Sequence, residues 1–393
     1  MMKILSVNAG SSSLKFTLFE MPEESVVVSG TFEKIGASDS FYVIKFNGEK
    51  LRREVSVPDH EEAIKCLLKE LIDNKIILSY DEIEGVGHRV VNGGSDIKCS
   101  KVINDNIISK IEEMIPIAPL HNPANLKGIR SFMEVMPKAH EVAVFDTSFH
   151  TTMEETEFMY PIPYNWYTDY GVRKYGAHGT SHQYITEYMR SYLGRDTKLI
   201  SCHIGSGASI CLVNNGKCVD TSIGFTPLGG IMMGTRCGDI DPGFIPYIMD
   251  KTTLSVDAIF NILNKQSGLD AISGVGPDLR DIEKGYNNGD TRCALAINMY
   301  VKRIVNFISD YIVELGGVDN IVFTAGVGER SPLIRQLVCD KLGIFGVLID
   351  PNKNKEAFGE FGEISAVTSK IQVFVVPTDE EVMIARDTYN SIK

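Results

Sequence analysis

Two glycine-framed arginines stand out, one in each half of the chain. Gly85-Val86-Gly87-His88-Arg89-Val90-Val91-Asn92-Gly93-Gly94 carries Arg89, and the run Gly229-Gly230-Ile231-Met232-Met233-Gly234-Thr235-Arg236-Cys237-Gly238 carries Arg236. Small neighbours leave a planar guanidinium open to fork onto a carboxylate or a phosphate. A lone loop arginine is more often simply solvated, so the specific signal is the pair. Asn8-Ala9-Gly10-Ser11-Ser12-Ser13-Leu14-Lys15 supplies backbone N–H groups, hydroxyls and a lysine, which is what a polyanion needs at close approach. The alternative is a plain polar hairpin turn; its place directly after a buried strand, and the lysine, favour phosphate. No G-K-[ST] follows, so it is not a Walker A loop.

Four carboxylates and two histidines complete the candidates. Asp146 sits at the end of a short apolar run and precedes Thr147-Ser148-Phe149-His150, a common metal or substrate position in α/β proteins. In Thr378-Asp379-Glu380-Glu381 the spacing of Thr378 and Glu381 matches a capping box, which gives Glu381 a structural task and leaves Glu380 to hold a cation. His178 and His182 have i, i+4 spacing, but Gly179 and the missing H-E-x-x-H glutamate argue against zinc. His178 reads as a loop residue near the substrate, Ser181 as a helix N-cap and His182 as a first-turn residue. His60, His121, His140 and His150 show no partner in sequence and read as structural or solvated. Met232, Met233 and Met299 read as core.

These residues need elements to hold them. Ile4–Val7 predicts a buried strand, Leu14–Phe19 a second and Phe41–Phe46 a third. His60–Asn74 has the apolar spacing of an amphipathic helix, and Val142–Phe145 is a buried strand ending at Asp146. A second series repeats the pattern: strand Leu199–Cys202, turn Gly205-Ser206-Gly207, strand Ile210–Val213 and an Asn214-Asn215-Gly216 hairpin turn. A helix over Ile297–Leu315 stops at Gly316-Gly317, strand Ile321–Phe323 runs into Gly326 and Gly328, and Val373–Val376 is a last strand. Ser331-Pro332 and Thr378 signal helix starts. Val7-Asn8-Ala9-Gly10-Ser11 aligns in character with Cys202-His203-Ile204-Gly205-Ser206. The two halves therefore read as a duplicated α/β domain with one phosphate-facing turn per copy and the site in the cleft between them.

The 393 residues suffice for two or three domains. With 44% hydrophobic and 23% charged residues and a formal net charge of −12, the chain is an ordinary globular one. It is a poor candidate for binding nucleic acid or an anionic membrane. An anionic substrate must meet a few local cations. The first residues are too briefly apolar for a signal peptide, and the longest helical run is broken by Lys302, Arg303, Asn306 and Asp310. Eight scattered cysteines without C-x-x-C read as reduced thiols of a cytoplasmic protein.

Together these segments resemble the acetate kinase family of the actin/Hsp70/sugar-kinase superfamily. The resemblance spans essentially the whole chain, through VNAGSSSLKF, GHRVVNGG, PLHNPANL, VFDTSFH, YGAHGTSH, GFTPLGGIMMGTRCGDIDPG, FTAGVGERSP and PTDEEVMIARDT. It implies an α/β fold of two domains with βββαβαβα cores and an interdomain cleft. Residues 1–148 with 383–393 would form one domain, and 149–382 the nucleotide-binding one. It implies reversible in-line phosphoryl transfer between ATP and acetate, giving acetyl phosphate and ADP, with Mg2+ (or Mn2+ as substitute) and a homodimer.

By the resemblance, Arg89 and Arg236 grip carboxylate and transferring phosphoryl, and His178 donates to the transition state. Asp146, Asn8 and Glu380 place magnesium and phosphate, with Asn8 and Glu380 nearest the metal. Ser11, Ser13 and Lys15 form the first phosphate turn, and His203, Gly205, Ser206 and Gly207 the second. Asp278, Leu279, Arg280, Gly326, Val327, Gly328 and Arg330 border the adenosine. Val91, Leu120, Ala177 and Pro227 line the acyl pocket, so the partners are a small carboxylate and a nucleotide. Three positions depart from the family pattern: Ser206 and Arg330 stand where asparagine is usual, and Ala177 where phenylalanine is. The alternatives are a propionate or butyrate kinase of the same family, or a non-catalytic ATP-binding, chaperone-like protein without carboxylate-gripping arginines.

Overall fold

Ile4, Leu5 and Val7 are buried, and the Gly10-Ser11-Ser12 turn sends the chain straight back. The N-terminus is therefore a hairpin of β1 (Met2–Ala9) and β2 (Ser13–Met21), paired from Met2↔Met21 to Ala9↔Leu14. The computed structural model describes residues 1–393 and divides into two units. The first comprises Met1–Thr151, Ala177–Tyr184 and Asp379–Lys393; the second comprises Thr152–Gly176 and Ile185–Thr378. Segment Ala177–Tyr184, expected in the second domain, thus belongs to the first, and the return of the chain begins at Asp379 rather than residue 383.

In the first unit the meander continues through β3 (Ser25–Glu33), β4 (Phe41–Phe46) and β5 (Glu49–Glu54). The strands β6 (Ile83–Val90), β7 (Lys101–Val102) and β8 (His140–Phe145) follow. The eight-stranded sheet runs β5-β4-β3-β2-β1-β6-β8-β7, with β1, β6 and β8 parallel. The strand Ser25–Glu33 escaped sequence reading because its only buried residues are Val28 and Phe32. On one face, helices His60–Asp73 and Asn122–Val135 cover a core of Leu5, Phe16, Phe32, Leu67, Leu68 and Phe132. On the other, the C-terminal helix Glu380–Ile392 packs across β1, β2, β6 and β8.

The second unit repeats the order. Its strands are β9 (Lys198–Ile204), β10 (Ala208–Asn214), β11 (Lys217–Thr221), β12 (Asn320–Thr324), β13 (Gly362–Glu363) and β14 (Gln372–Val375). The sheet is β11-β10-β9-β12-β14-β13, with β9, β12 and β14 parallel. An antiparallel three-strand meander continued by two parallel strands therefore occurs twice, as a duplicated α/β frame. The hairpin turn Asn215-Gly216 has φ of 50° and 77°, the left-handed pair that a two-residue turn requires. The long helix is Thr291–Glu314, starting six residues before the expected Ile297 because Asp290 caps it. No helix is long and apolar enough to cross a membrane.

The glycines framing Arg89 do a different job from the one their composition suggests. A Cβ at Gly87 would lie 2.1 Å from Thr388 Oγ1 and 2.6 Å from Ile384 Cγ2, and one at Gly85 would meet Ile392 and Ile4 below 3 Å. They let the C-terminal helix lie against β6, rather than baring the arginine. Gly87→Ala should cost about 1–3 kcal/mol by overpacking, and Gly87→Ala/Thr388→Ala should regain part of it. Denaturant midpoints check this; a Gly87→Ala protein of parental stability would show that the helix can step aside freely.

Candidate active site

In the first unit, Arg89 is placed by β6 and Asp146 by the end of β8, and the two strands are neighbours. Arg89 forks onto Asp146: Nε donates at 3.1–3.2 Å to both carboxylate oxygens and an Nη donates to Oδ2 at 2.7 Å. Asp146 is 1% exposed and also accepts from the Thr180 hydroxyl at 2.9 Å. The other Nη of Arg89 faces Glu380 at 3.9 Å. Burial works against the Arg89 charge, yet Asp146 and then Glu380 hold its pKa well above the ordinary value. The fork expected to grip a substrate carboxylate is thus partly taken by Asp146.

Glu380 has one carboxylate oxygen, Oε1, buried and without a hydrogen-bond partner. Burial pushes its carboxyl above the usual range, opposed by Arg89 and reinforced by Asp146 and Glu381. The side chain capping this helix is Asp379, which accepts from the Val382 N–H at 2.9 Å, and the helix begins at Glu380. The capping box expected of Thr378 and Glu381 is therefore absent: Glu381 pairs with Lys15 instead, and the Thr378 N–H donates to Glu329.

His178 opens the next segment with φ of 56°. The helix it precedes runs Gly179–Leu193, so Ser181 lies inside it rather than capping it. Its start is fixed on Asp146: the Gly179 N–H donates to the Asp146 carbonyl at 3.1 Å. A Cβ at residue 179 would stand 2.0 Å from that oxygen, so only glycine fits. The Ala177 carbonyl accepts from His150 Nε2 at 2.9 Å, and Ala177 is 4% exposed. His182 is fully buried against His150.

The first turn is braced in the same way. His60 donates to the Gly10 carbonyl at 2.7 Å. Asn125 donates to the Ala9 carbonyl at 3.0 Å and accepts from the Val91 N–H at 3.2 Å, tying the turn to the chain leaving Arg89. Asn122 accepts from the Asn92 N–H and donates to the Asn92 and Ile111 carbonyls, holding the chain at the residue after Val91. These braces were missed as site residues. The asparagines lie in PLHNPANL, whose two buried amides are the available signal; nothing in sequence marks His60. Ser11 is exposed, Asn8, Ser13 and Val91 are half-buried, and Leu120 is 47% exposed.

In the second unit, Arg236 donates to the Pro227 carbonyl at 3.2 Å and lies 3.6 Å from the Met233 sulfur, with no carboxylate partner. Burial lowers its pKa. The Gly205–Gly207 turn closes by a 3.1 Å backbone bond. A Cβ at Gly205 would stand 3.6 Å from Ala325 and 3.9 Å from His203 Nε2. A Cβ at Gly234 would stand 3.4 Å from Pro277 and 3.9 Å from the Ser206 carbonyl. The second turn, the Arg236 loop, the segment before Asp278 and the short helix Ala325–Arg330 therefore converge. Leu279 is buried, while Asp278 and Arg280 form an exposed fork that holds the Asp278 carboxyl down at about 2. Gly326 and Arg330 are exposed, Val327 is half-buried and Gly328 is buried.

A duplicated frame of this topology, with a glycine turn in each copy and a buried arginine–carboxylate cluster in the first, can serve a kinase, and the likeness to known proteins shows that class. The family model described as the acetokinase family matches residues 3–386. The chain is 52% identical over 390 residues to the acetate kinase of Geobacillus sp. (strain WCH70), with 98% of each sequence covered. The crystal structure of Porphyromonas gingivalis acetate kinase matches with TM-score 0.94 and 45% identity over 100% of both chains. A propionate kinase from Francisella tularensis matches with TM-score 0.94 and 39% identity, over 99% of this chain and 100% of that one. The chain belongs to the acetokinase family.

Asp146→Asn should leave the buried Arg89 charge answered only by the more distant Glu380, at a cost of about 3–5 kcal/mol. The double variant Arg89→Met/Asp146→Asn should recover much of that stability while remaining inactive. Chemical denaturation checks both; a single variant as stable as the parent would show that solvent reaches the pair.

Proposed function

We propose that the protein transfers the γ-phosphoryl group of ATP to acetate, reversibly, forming acetyl phosphate and ADP. The observation that carries this reading is the buried Arg89–Asp146–Glu380 cluster, with an orphaned carboxylate oxygen, in the unit that also bears the Asn8–Lys15 turn. A chaperone-like ATPase needs no such arginine. The residues fit a magnesium ion: hard oxygen donors, one of them desolvated and unpaired, are what a small divalent cation selects. Glu380 and Asn8 would hold it with Asp146, and when bound it would neutralise phosphate oxygens.

The remaining roles belong to this chain's own groups. A transferring phosphoryl spreads charge over its equatorial oxygens. Arg89 and Arg236 offer N–H donors to those oxygens and to the acetate carboxylate, and His178 offers a third donor. One acetate oxygen attacks phosphorus as the bond to the ADP oxygen breaks, so no residue needs to form a covalent intermediate. Ser11, Ser13, Lys15, His203, Gly205, Ser206 and Gly207 hold the phosphate chain. Asp278, Leu279, Arg280, Gly326, Val327, Gly328 and Arg330 border the adenosine. Val91, Leu120, Ala177 and Pro227 face the methyl group.

Eight free thiols suit a reducing, cytoplasmic setting. A homodimer is supported by the helix Phe244–Lys251, which buries none of its residues and exposes Tyr247 and Met249, next to the helix Val256–Lys265, which exposes Phe260. Light scattering should return twice the 43.5 kDa chain mass; a single-chain mass would refute the dimer.

Arg236→Lys should lower kcat by roughly 10³-fold, as loss of an arginine finger does, because a point charge cannot replace the fork. Near-parental turnover in a coupled acetyl-phosphate assay would remove Arg236 from the reaction. At residue 177 the family pattern has a phenylalanine and this chain a methyl group, so the pocket is expected to be wide enough for one more methylene. Propionate should therefore be used with kcat/KM within about tenfold of acetate, butyrate worse, and Ala177→Phe should shift preference toward acetate. Strong rejection of propionate by the parent, unchanged in the variant, would mean that residue 177 does not set the pocket's size.

A further inference from the structure

Arg335 is the largest fully buried side chain in the molecule, at 0% exposure, and no carboxylate neutralises it. Its donors go to oxygens of uncharged groups. Nε bonds the Asn354 side-chain oxygen at 2.7 Å; one Nη bonds the Gly328 and Glu329 carbonyls, each at 2.8 Å; the other bonds the Asn354 and Ala357 carbonyls at 2.5 and 3.2 Å. Burying an arginine without a counter-ion is costly, so its position must be set by what it holds. It holds the last carbonyls of the helix Ala325–Arg330, where a cation complements the helix dipole. It also clamps them to the end of the helix Pro351–Glu356. The Gly359 N–H adds a bond to the same Glu329 carbonyl at 3.0 Å.

The other end of that helix needs holding. Ala325 has φ of 64°, which disfavours a residue with a Cβ. The preceding Thr324 hydroxyl is buried without a hydrogen-bond partner. A six-residue helix with a strained entry and no side-chain N-cap persists only if its exit is fixed from outside. We propose that Arg335 is a positioning residue for nucleotide binding. It pins the C-terminal end of the Ala325–Arg330 helix and so keeps Ala325 in its left-handed conformation and Gly326–Arg330 in place. The proposal rests on the reading that this helix borders the adenosine.

The test compares KM for ATP, affinity for ADP by calorimetry, KM for acetate, kcat and melting temperature. Arg335→Lys should raise KM for ATP and Kd for ADP about tenfold, as loss of several bonds to one charged group would. KM for acetate should change less than twofold or so. Ala325→Gly, which removes the left-handed penalty, should recover part of that affinity in the Arg335→Lys background. Asn354→Ala, which removes one clamp contact and keeps the guanidinium, should shift KM for ATP in the same direction by a smaller factor, and it serves if Arg335→Lys does not fold. A melting-temperature loss in both variants with ATP and ADP affinity unchanged would overturn the proposal. Gly326→Val separates the two levels, because residue 326 is exposed with open space around it. If it weakens ATP binding while the Arg335 and Asn354 variants do not, Arg335 is only a core residue. If none of the three moves ATP affinity, the helix does not meet the nucleotide, and both the reading and the proposal fall.

Discussion

A charge buried in protein must be answered where it lies, and in the first unit that requirement is met between Arg89 and Asp146. Asp146 is almost wholly removed from water, and its contacts come from two distant parts of the chain: Arg89 on β6, and the Gly179 N–H and Thr180 hydroxyl of the next segment. Once this fork is in place, much else follows. The helix from Gly179 must start against the Asp146 backbone, which fixes the direction in which His178 leaves it. The C-terminal helix must come close enough to β6 for Glu380 to face the second Nη of Arg89, which is why β6 has glycine at 85 and 87. The fork also means that Arg89 reaches any substrate as a preoriented donor rather than a free side chain, so little rotamer freedom is left to lose on binding.

The second unit solves a related problem with uncharged groups. Arg236 and Arg335 both lack a carboxylate, and both donate to backbone carbonyls. Arg335 has its donors engaged and is sealed in; Arg236 makes two contacts and keeps donors for something else. Burial depresses both guanidinium pKa values, and the difference between a structural and a chemically available arginine is how many N–H groups remain unspent.

Eight strands were legible in the sequence because their apolar spacing is strong: β1, β2, β4, β8, β9, β10 and β12 contain the segments that periodicity picks out, and β14 holds all of its segment but Val376; β6, which carries Arg89, and the helix Asn122–Val135 were not legible. Nor was the strand Ser25–Glu33, since two buried residues in nine leave no alternation to read. Of the three hydroxyl residues that signal helix starts, Ser331 does cap its helix, accepting from the Ile334 N–H at 3.1 Å, while Ser181 and Thr378 do not. At Ser181 the fold begins the helix earlier, on a glycine that only tertiary contact with Asp146 explains. At Thr378 the next residue, Asp379, wins the capping bond, and Glu381 is drawn to Lys15. Chemistry-bearing residues could be named from motif and spacing, but their supports could not. His60, Asn122, Asn125 and Arg335 act through backbone carbonyls and N–H groups distant in sequence, and such partners leave no mark on the local pattern.

The outer edge of the eight-stranded sheet ends in β5, Glu49-Lys50-Leu51-Arg52-Arg53-Glu54, where charges of both signs crowd one short strand and only Leu51 is apolar. Arg52 folds back over the ring of Phe41 on β4, and Arg53 is tied to Glu70. An open strand edge is a template for any other extended chain, and bulky charged side chains blunt it. Any protein in a crowded solution meets other extended chains. This strand lets it do so without recruiting them: its contribution is colloidal, and it would go unseen in any assay performed on dilute protein.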